Sequence, residues 1–83
     1  MSEGINDDNC ISFIAKSVAR QVARKGIPGH DEKAVSRWFH NSSRVIRSGV
    51  EYDTAREFGM DPKDAVERAA EKMLKRYRSA HNI

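Results

Sequence analysis

The sequence predicts an all-α fold: a small helical bundle of three main helices plus one short helix. Three observations predict it. Apolar residues recur at i, i+3, i+4 and i+7 through the longer segments, the spacing of one helix face. Glycines and prolines cut the chain into helix-sized pieces at Gly26–Gly29, at Gly49 and at Gly59–Pro62. No segment carries a strand signal, an internal repeat or a low-complexity tract. At 83 residues the chain makes one domain. A domain of this size buries only roughly 60% of the surface its unfolded form exposes, so association with itself or with a partner is expected.

Residues 1–8, MSEGINDD, lack apolar periodicity and are expected to form a flexible acidic arm ahead of a single helical domain at 9–83. That arm is a candidate cover for the basic faces of the first two helices. The first helix is expected to start near Asp7 to Asn9, which supply an N-cap, and to run to Lys25 before Gly26. Ile11, Ile14, Ala15, Val18 and Val22 form its inner stripe, and Lys16, Arg20 and Arg24 occupy the far side. Phe13 lies off the stripe, near that basic edge.

Gly26-Ile27-Pro28-Gly29 is a turn on composition. A second helix is expected from Asp31 to Gly49, DEKAVSRWFHNSSRVIRSG, with Asp31 and Glu32 at the positive end of its dipole. Ala34, Val35, Trp38, Phe39, Ser42, Val45 and Ile46 make its expected inner face. Val50 to Phe58 is expected as the short third helix, burying Val50, Tyr52, Ala55 and Phe58. Asp61 and Pro62 suit the N-cap and first position of the last helix, with Met60 placed to staple onto Ala65. That helix, 62 to about 79, buries Ala65, Val66, Ala69, Ala70, Met73, Leu74 and Tyr77. Its acids come early and its bases late, as the dipole prefers.

Composition narrows the function. The longest apolar run is Phe13-Ile14-Ala15, too short to span a bilayer, so no membrane partner is expected. No basic segment followed by an apolar one opens the chain, and the one cysteine, Cys10, cannot form an internal disulfide; a reducing, cytoplasmic location is expected. Net charge is +3, but it is unevenly spread: −3 over residues 1–8, +6 over 9–49, −3 over 50–61 and +3 over 62–83. His30, His40, His81 and Cys10 are scattered without metal-ligand spacing, no phosphate loop is present, and no nucleophile-base arrangement stands out. No enzyme, metal, cofactor or small-molecule substrate is therefore expected, and His30 and His81 are expected to be solvated.

The strongest functional signal is the outer face of the expected second helix. Lys33, Arg37, His40, Arg44 and Arg47 succeed one another at spacings of 4, 3, 4 and 3, one stripe at about 100° per residue. No acid occurs between Glu32 and Glu51. Exposed helices ordinarily mix Glu with Lys to gain i,i+4 pairs; a like-charge row costs a few tenths of a kcal/mol per pair in isolation. Lys16, Arg20 and Arg24 repeat the pattern on the first helix. Rows of this kind are tolerated most easily when an anion meets them. The expected function is thus non-catalytic binding of a polyanion, nucleic acid and specifically DNA, through Lys16, Arg20, Arg24, Lys33, Arg37, His40, Arg44 and Arg47. The alternative is a protein-binding regulator, inhibitor or adaptor that docks on an acidic protein surface. A structural, self-assembling subunit is a third reading. A homodimer would use Phe13, Trp38 and the small-residue edge Ala15, Ala19 and Ala23.

Residues 51–66, EYDTAREFGMDPKDAV, carry Ala55 four positions before Gly59, with Phe58 and Met60 on either side of that glycine. This resembles the helix-turn-helix of phage repressors, and the resemblance implies a second helix offered to DNA. Asp61, Asp64 and Glu67 would set negative charge against phosphates there, and Arg68 stands where the motif buries an apolar residue. A tight helical corner is the better expectation, and for DNA the Lys33–Arg47 face is the preferred contact.

Overall fold

Three polar side chains decide where three of the four helices begin. The computed structural model describes residues 4–83 and contains α1 (Cys10–Ala23), α2 (Glu32–Phe39), α3 (Ser42–Glu57) and α4 (Pro62–His81). Asp31 accepts from the Ala34 amide at 2.9 Å, Asn41 from the Ser43 amide at 3.0 Å and Asp61 from the Asp64 amide at 2.9 Å. Each satisfies a first-turn donor that has no partner within its helix. Asn9 precedes α1 without such a bond; its side-chain oxygen accepts from the Asn6 amide instead. Pro62 stands at the start of α4, and Asn82, with φ of 57°, ends it in the left-handed conformation.

The four-helix count and the all-α class agree with the sequence, but the second and third helices divide differently. The expected continuous helix from Asp31 to Gly49 breaks at His40 (ψ 52°) and Asn41 (φ −120°, ψ 135°). Asn and Ser at 41–43 offer the backbone local hydrogen bonds that compete with helix continuation, and Asn41 uses this to cap a new helix. Gly49, expected to close a helix, lies inside α3. A Cβ there would stand 3.7 Å from Ile11 Cδ1. The short element is therefore α2, while α3 absorbs the segment expected as a separate third helix.

Beyond the new start at Ser42 one continuous helix decides which residues face the core. Tyr52 and Ala55 are buried as expected, and Ser48 joins them at 0% exposure, its hydroxyl donating to the Val45 carbonyl at 2.7 Å. Ile46, Val50 and Phe58, all expected inside, are 66%, 48% and 81% exposed. They are spaced in multiples of four along the face opposite Tyr52.

The core is built on α4, which packs against both α1 and α3, while α2 lies on α1. Ala65, Ala69 and Ala70 are fully buried and let the neighbouring backbones approach closely; Val66, Met73 and Tyr77 complete that face. From α1 come Cys10, Ile14, Val18, Ala19 and Val22, and from α2 Val35 and Phe39. Leu74, Val45, Ile11 and Trp38 pack at its margins. Burial pushes the Cys10 thiol up.

Residues 1–3 of the expected acidic arm lie outside the described residues. Further along it, Ile5 packs against the core. Asp7 accepts a hydrogen bond from the Tyr52 hydroxyl and pairs with Arg56 Nε at 3.3 Å. The hydrogen bond from Tyr52, then the charge of Arg56, holds the Asp7 carboxyl below its usual range. Burial, then the Asp7 carboxylate, pushes the Tyr52 hydroxyl up to about 12. This acid thus engages Arg56, a base outside the candidate set.

Candidate anion-binding surface

Because the helix breaks at His40, the expected basic stripe is bent. Lys33 and Arg37 belong to α2, His40 lies in the break, and Arg44 and Arg47 belong to α3. The fold places five of the eight candidate residues on two concavities near this corner and leaves Arg20, Arg24 and Arg37 outside both.

The first is a groove of about 500 Å³ between α1 and α2. Ile11, Ala15, Ala19 and Phe39 form its apolar floor; Lys16, Glu32, Lys33 and His40 stand at its rim. Two bases far apart in sequence are thereby placed on one groove, which periodicity within either helix could not reveal. Arg20, Arg24 and Arg37 are exposed outside it.

The second is a cleft of about 410 Å³ between α3 and α4, lined by Asn41, Ser43, Arg44, Arg47, Met73 and Arg76. Arg44 is half-buried. Its guanidinium lies 4.4 Å from the centre of the Trp38 ring, and its Nη1 donates to the Trp38 carbonyl at 2.9 Å. Arg76 was not among the candidates, since at the end of α4 it serves the dipole like any late base. Its spacing from buried Met73 and Tyr77 places it at the edge of the packed face. That α3's arginines stand across from it is a product of how the two helices pack, and of nothing local.

Among the described residues the single ion pair is Asp7–Arg56. None of Lys16, Arg20, Arg24, Lys33, Arg37, Arg44, Arg47 or Arg76 is paired with a described carboxylate. Lys16 lies 5.6 Å above the ring of Phe13, its neighbour on α1. Such a surface holds its positive charge uncompensated, and counterions or a polyanion would supply the missing charge.

The self-association candidates are largely occupied within the fold. Ala19 is buried, and Phe13, Ala15, Ala23 and Trp38 are half-buried. Trp38 packs edge-on against Tyr77 with centroids 5.1 Å apart, and its buried Nε1 has no hydrogen-bond partner among the described residues.

His30 and His81, expected in solvent, instead gather around Tyr77. His30 Nδ1 lies within hydrogen-bonding reach of the Tyr77 hydroxyl, and His81 stacks on the Tyr77 ring with centroids 4.0 Å apart. A T-shaped contact joins the two imidazoles at 5.2 Å. Burial raises the Tyr77 hydroxyl pKa, with a smaller contribution from Asp31. No group of three or more His, Cys, Asp or Glu side chains among the described residues could hold a metal ion.

The segment resembling a helix-turn-helix forms a turn at Gly59, with φ of 93°, between α3 and α4. Ala55 is buried, but Phe58 beside the glycine and Arg68, where the motif buries an apolar residue, are exposed. One face of α4 is committed to the core. None of the described helices is long and apolar enough to cross a membrane. No family model matches the chain, and neither a curated protein nor a solved structure matches it.

Proposed function

We propose that this protein binds a polyanion, the phosphate backbone of nucleic acid and of DNA in particular, through the basic residues of α1, α2 and the first turns of α3. The observation that carries the reading is the lack of internal partners: seven candidate lysines and arginines, none paired with a described carboxylate. Contacts would be to phosphates, which position a protein on a duplex without reading bases. Lys16, Arg20, Arg24, Lys33, Arg37 and Arg47 are exposed and available. Most aromatic side chains are committed to the core or its margins, which favours a duplex over single strands, whose readers expose aromatics for stacking.

A second reading rests on the α1–α2 groove. Its apolar floor and cationic rim suit an acidic, amphipathic segment of another protein, as a small regulator, inhibitor or adaptor would use. One experiment separates the two. A labelled random-sequence duplex is titrated at two salt concentrations against wild type and a Lys16→Glu/Lys33→Glu/Arg37→Glu variant. The nucleic-acid reading expects affinity to fall with salt at a log–log slope of about 0.9 per phosphate contacted, and to be lost in the variant. Absence of binding at low salt removes it and leaves the protein-partner reading.

A further inference from the structure

We infer that the cleft bounded by Arg44, Arg47 and Arg76 is a seat for a single phosphate group. The seat builds on the polyanion reading for the source of its ligand, but its geometry is its own. Three arginines from two helices line one concavity of about 410 Å³. The adjoining hollow, bounded by Trp38, Ser79 and Ala80, shares Arg44 and Arg76 with it. No described carboxylate pairs with any of the three. Glu51, four residues beyond Arg47 on α3, is within helical reach of that arginine and does not pair with it.

Like charges gathered this way repel one another. An anion in the cleft removes that cost and gains charge-assisted hydrogen bonds. Guanidinium groups are planar forks whose paired N–H donors match two oxygens of a phosphate, and they keep their charge at every physiological pH.

Arg44 is also preorganised. The indole of Trp38 below it and the Trp38 carbonyl beside it fix its plane, yet that carbonyl uses only one of about five N–H donors. Ordering the side chain before the ligand arrives lowers the cost of binding. Ser43 lines the same cleft, and its hydroxyl is a neutral donor. Arg76 brings a third base, from α4, to the two that α3 supplies.

The test uses the full chain and inorganic phosphate as probe. Arginine Nε–H resonances are tracked by NMR while phosphate replaces chloride at constant ionic strength, for wild type, Arg76→Gln and Arg76→Lys. Saturable shifts confined to Arg44, Arg47 and Arg76 are expected. Affinity should weaken about tenfold in Arg76→Gln, the loss of one charged hydrogen-bonding group, and less in Arg76→Lys. Arg76 is exposed, and an unchanged amide spectrum away from the cleft certifies that the variants are folded. Shifts of equal size at Arg20 and Arg24, or an Arg76→Gln titration that matches wild type, overturn the seat.

The same proteins are then titrated with 5′-phosphorylated and unphosphorylated duplexes. A seat for internal phosphodiesters lowers the affinity of Arg76→Gln for both; a seat for a terminal phosphate lowers it for the phosphorylated duplex alone. Saturable phosphate binding without any duplex affinity would keep the seat and remove the nucleic-acid function. Duplex affinity without saturable phosphate binding would do the reverse.

Discussion

The buried phenol of Tyr52, midway along α3, donates its proton to the carboxylate of Asp7, just ahead of α1. This one contact ties the N-terminal segment to the third helix, and it makes stability depend on pH at both extremes. The Tyr52 hydroxyl ionises near 10 in an unfolded chain but at about 12 here. The folded state therefore keeps a proton that the unfolded state has lost, and stability falls as pH rises from about 10 to about 12. The loss reaches roughly 2–3 kcal/mol over that interval. Tyr52→Phe should lack this contribution, so denaturant midpoints of the two proteins should converge toward pH 12.

At the acid end the sign reverses. The Asp7 carboxyl titrates below its ordinary value of 3.8, so its contribution is present above that value and is lost as pH falls through the depressed one. Asp7→Asn should remove this acid sensitivity while leaving the far-ultraviolet spectrum unchanged.

Phe58 is 81% exposed and Phe39 fully buried, and their substitutions should separate accordingly. Phe39→Ala should cost about 3–5 kcal/mol, enough to unfold so small a domain. Phe58→Ser should stay within about 0.5 kcal/mol of wild type. Thermal melts of the two variants distinguish this arrangement from one with both rings inside.

Two glycines should respond in opposite directions to alanine. Gly59 has φ of 93°, where an L side chain costs roughly 1–2 kcal/mol, so Gly59→Ala destabilises. Gly49 lies within α3, and a Cβ there meets Ile11 at ordinary contact distance. Gly49→Ala should stabilise by about 0.5–1 kcal/mol through helix propensity. Urea unfolding of both variants measures the contrast.

Asn41 holds the corner between α2 and α3 by accepting from the Ser43 amide. Asn41→Ala should cost about 1 kcal/mol, and Asn41→Asp or Asn41→Ser should restore most of it. Amide hydrogen exchange at Ser43 and Arg44 would report the frayed first turn directly.

Much of the fold was legible in sequence because local chemistry dictates it. Asp31, Asp61 and Pro62 mark helix starts wherever they occur, and the stripes of α1 and α4 are long enough to set their own phase. Residues 40–50 were not legible in the same way. A basic and apolar pattern continues in register across His40, so periodicity predicted one helix, while the break depends on Asn41 and two serines preferring a cap. From that single difference came the misplaced Ile46, while Val50 and Phe58 were set inside the separate short helix expected at 50–58, which is instead the second half of α3 with only Tyr52 and Ala55 of that set buried. The candidate bases were identifiable one by one from the absence of acids around them. Their grouping was not: Lys16 meets Lys33 across one groove, and Arg76 meets Arg44 and Arg47 across another, through packing between helices far apart in the chain. The two histidines around Tyr77 were hidden for the same reason.

The interruption at His40–Asn41 also governs what shape of ligand the molecule can accept. An unbroken rod from Glu32 to Glu57 would measure roughly 39 Å, more than the longest dimension of the described fold, 37 Å. Its positive charge would run along a straight line. Breaking the rod instead sets Lys33 at the groove between α1 and α2 and Arg44 and Arg47 at the cleft between α3 and α4. A ligand that satisfies both arms must curve around the bend or touch them with two separate parts of itself.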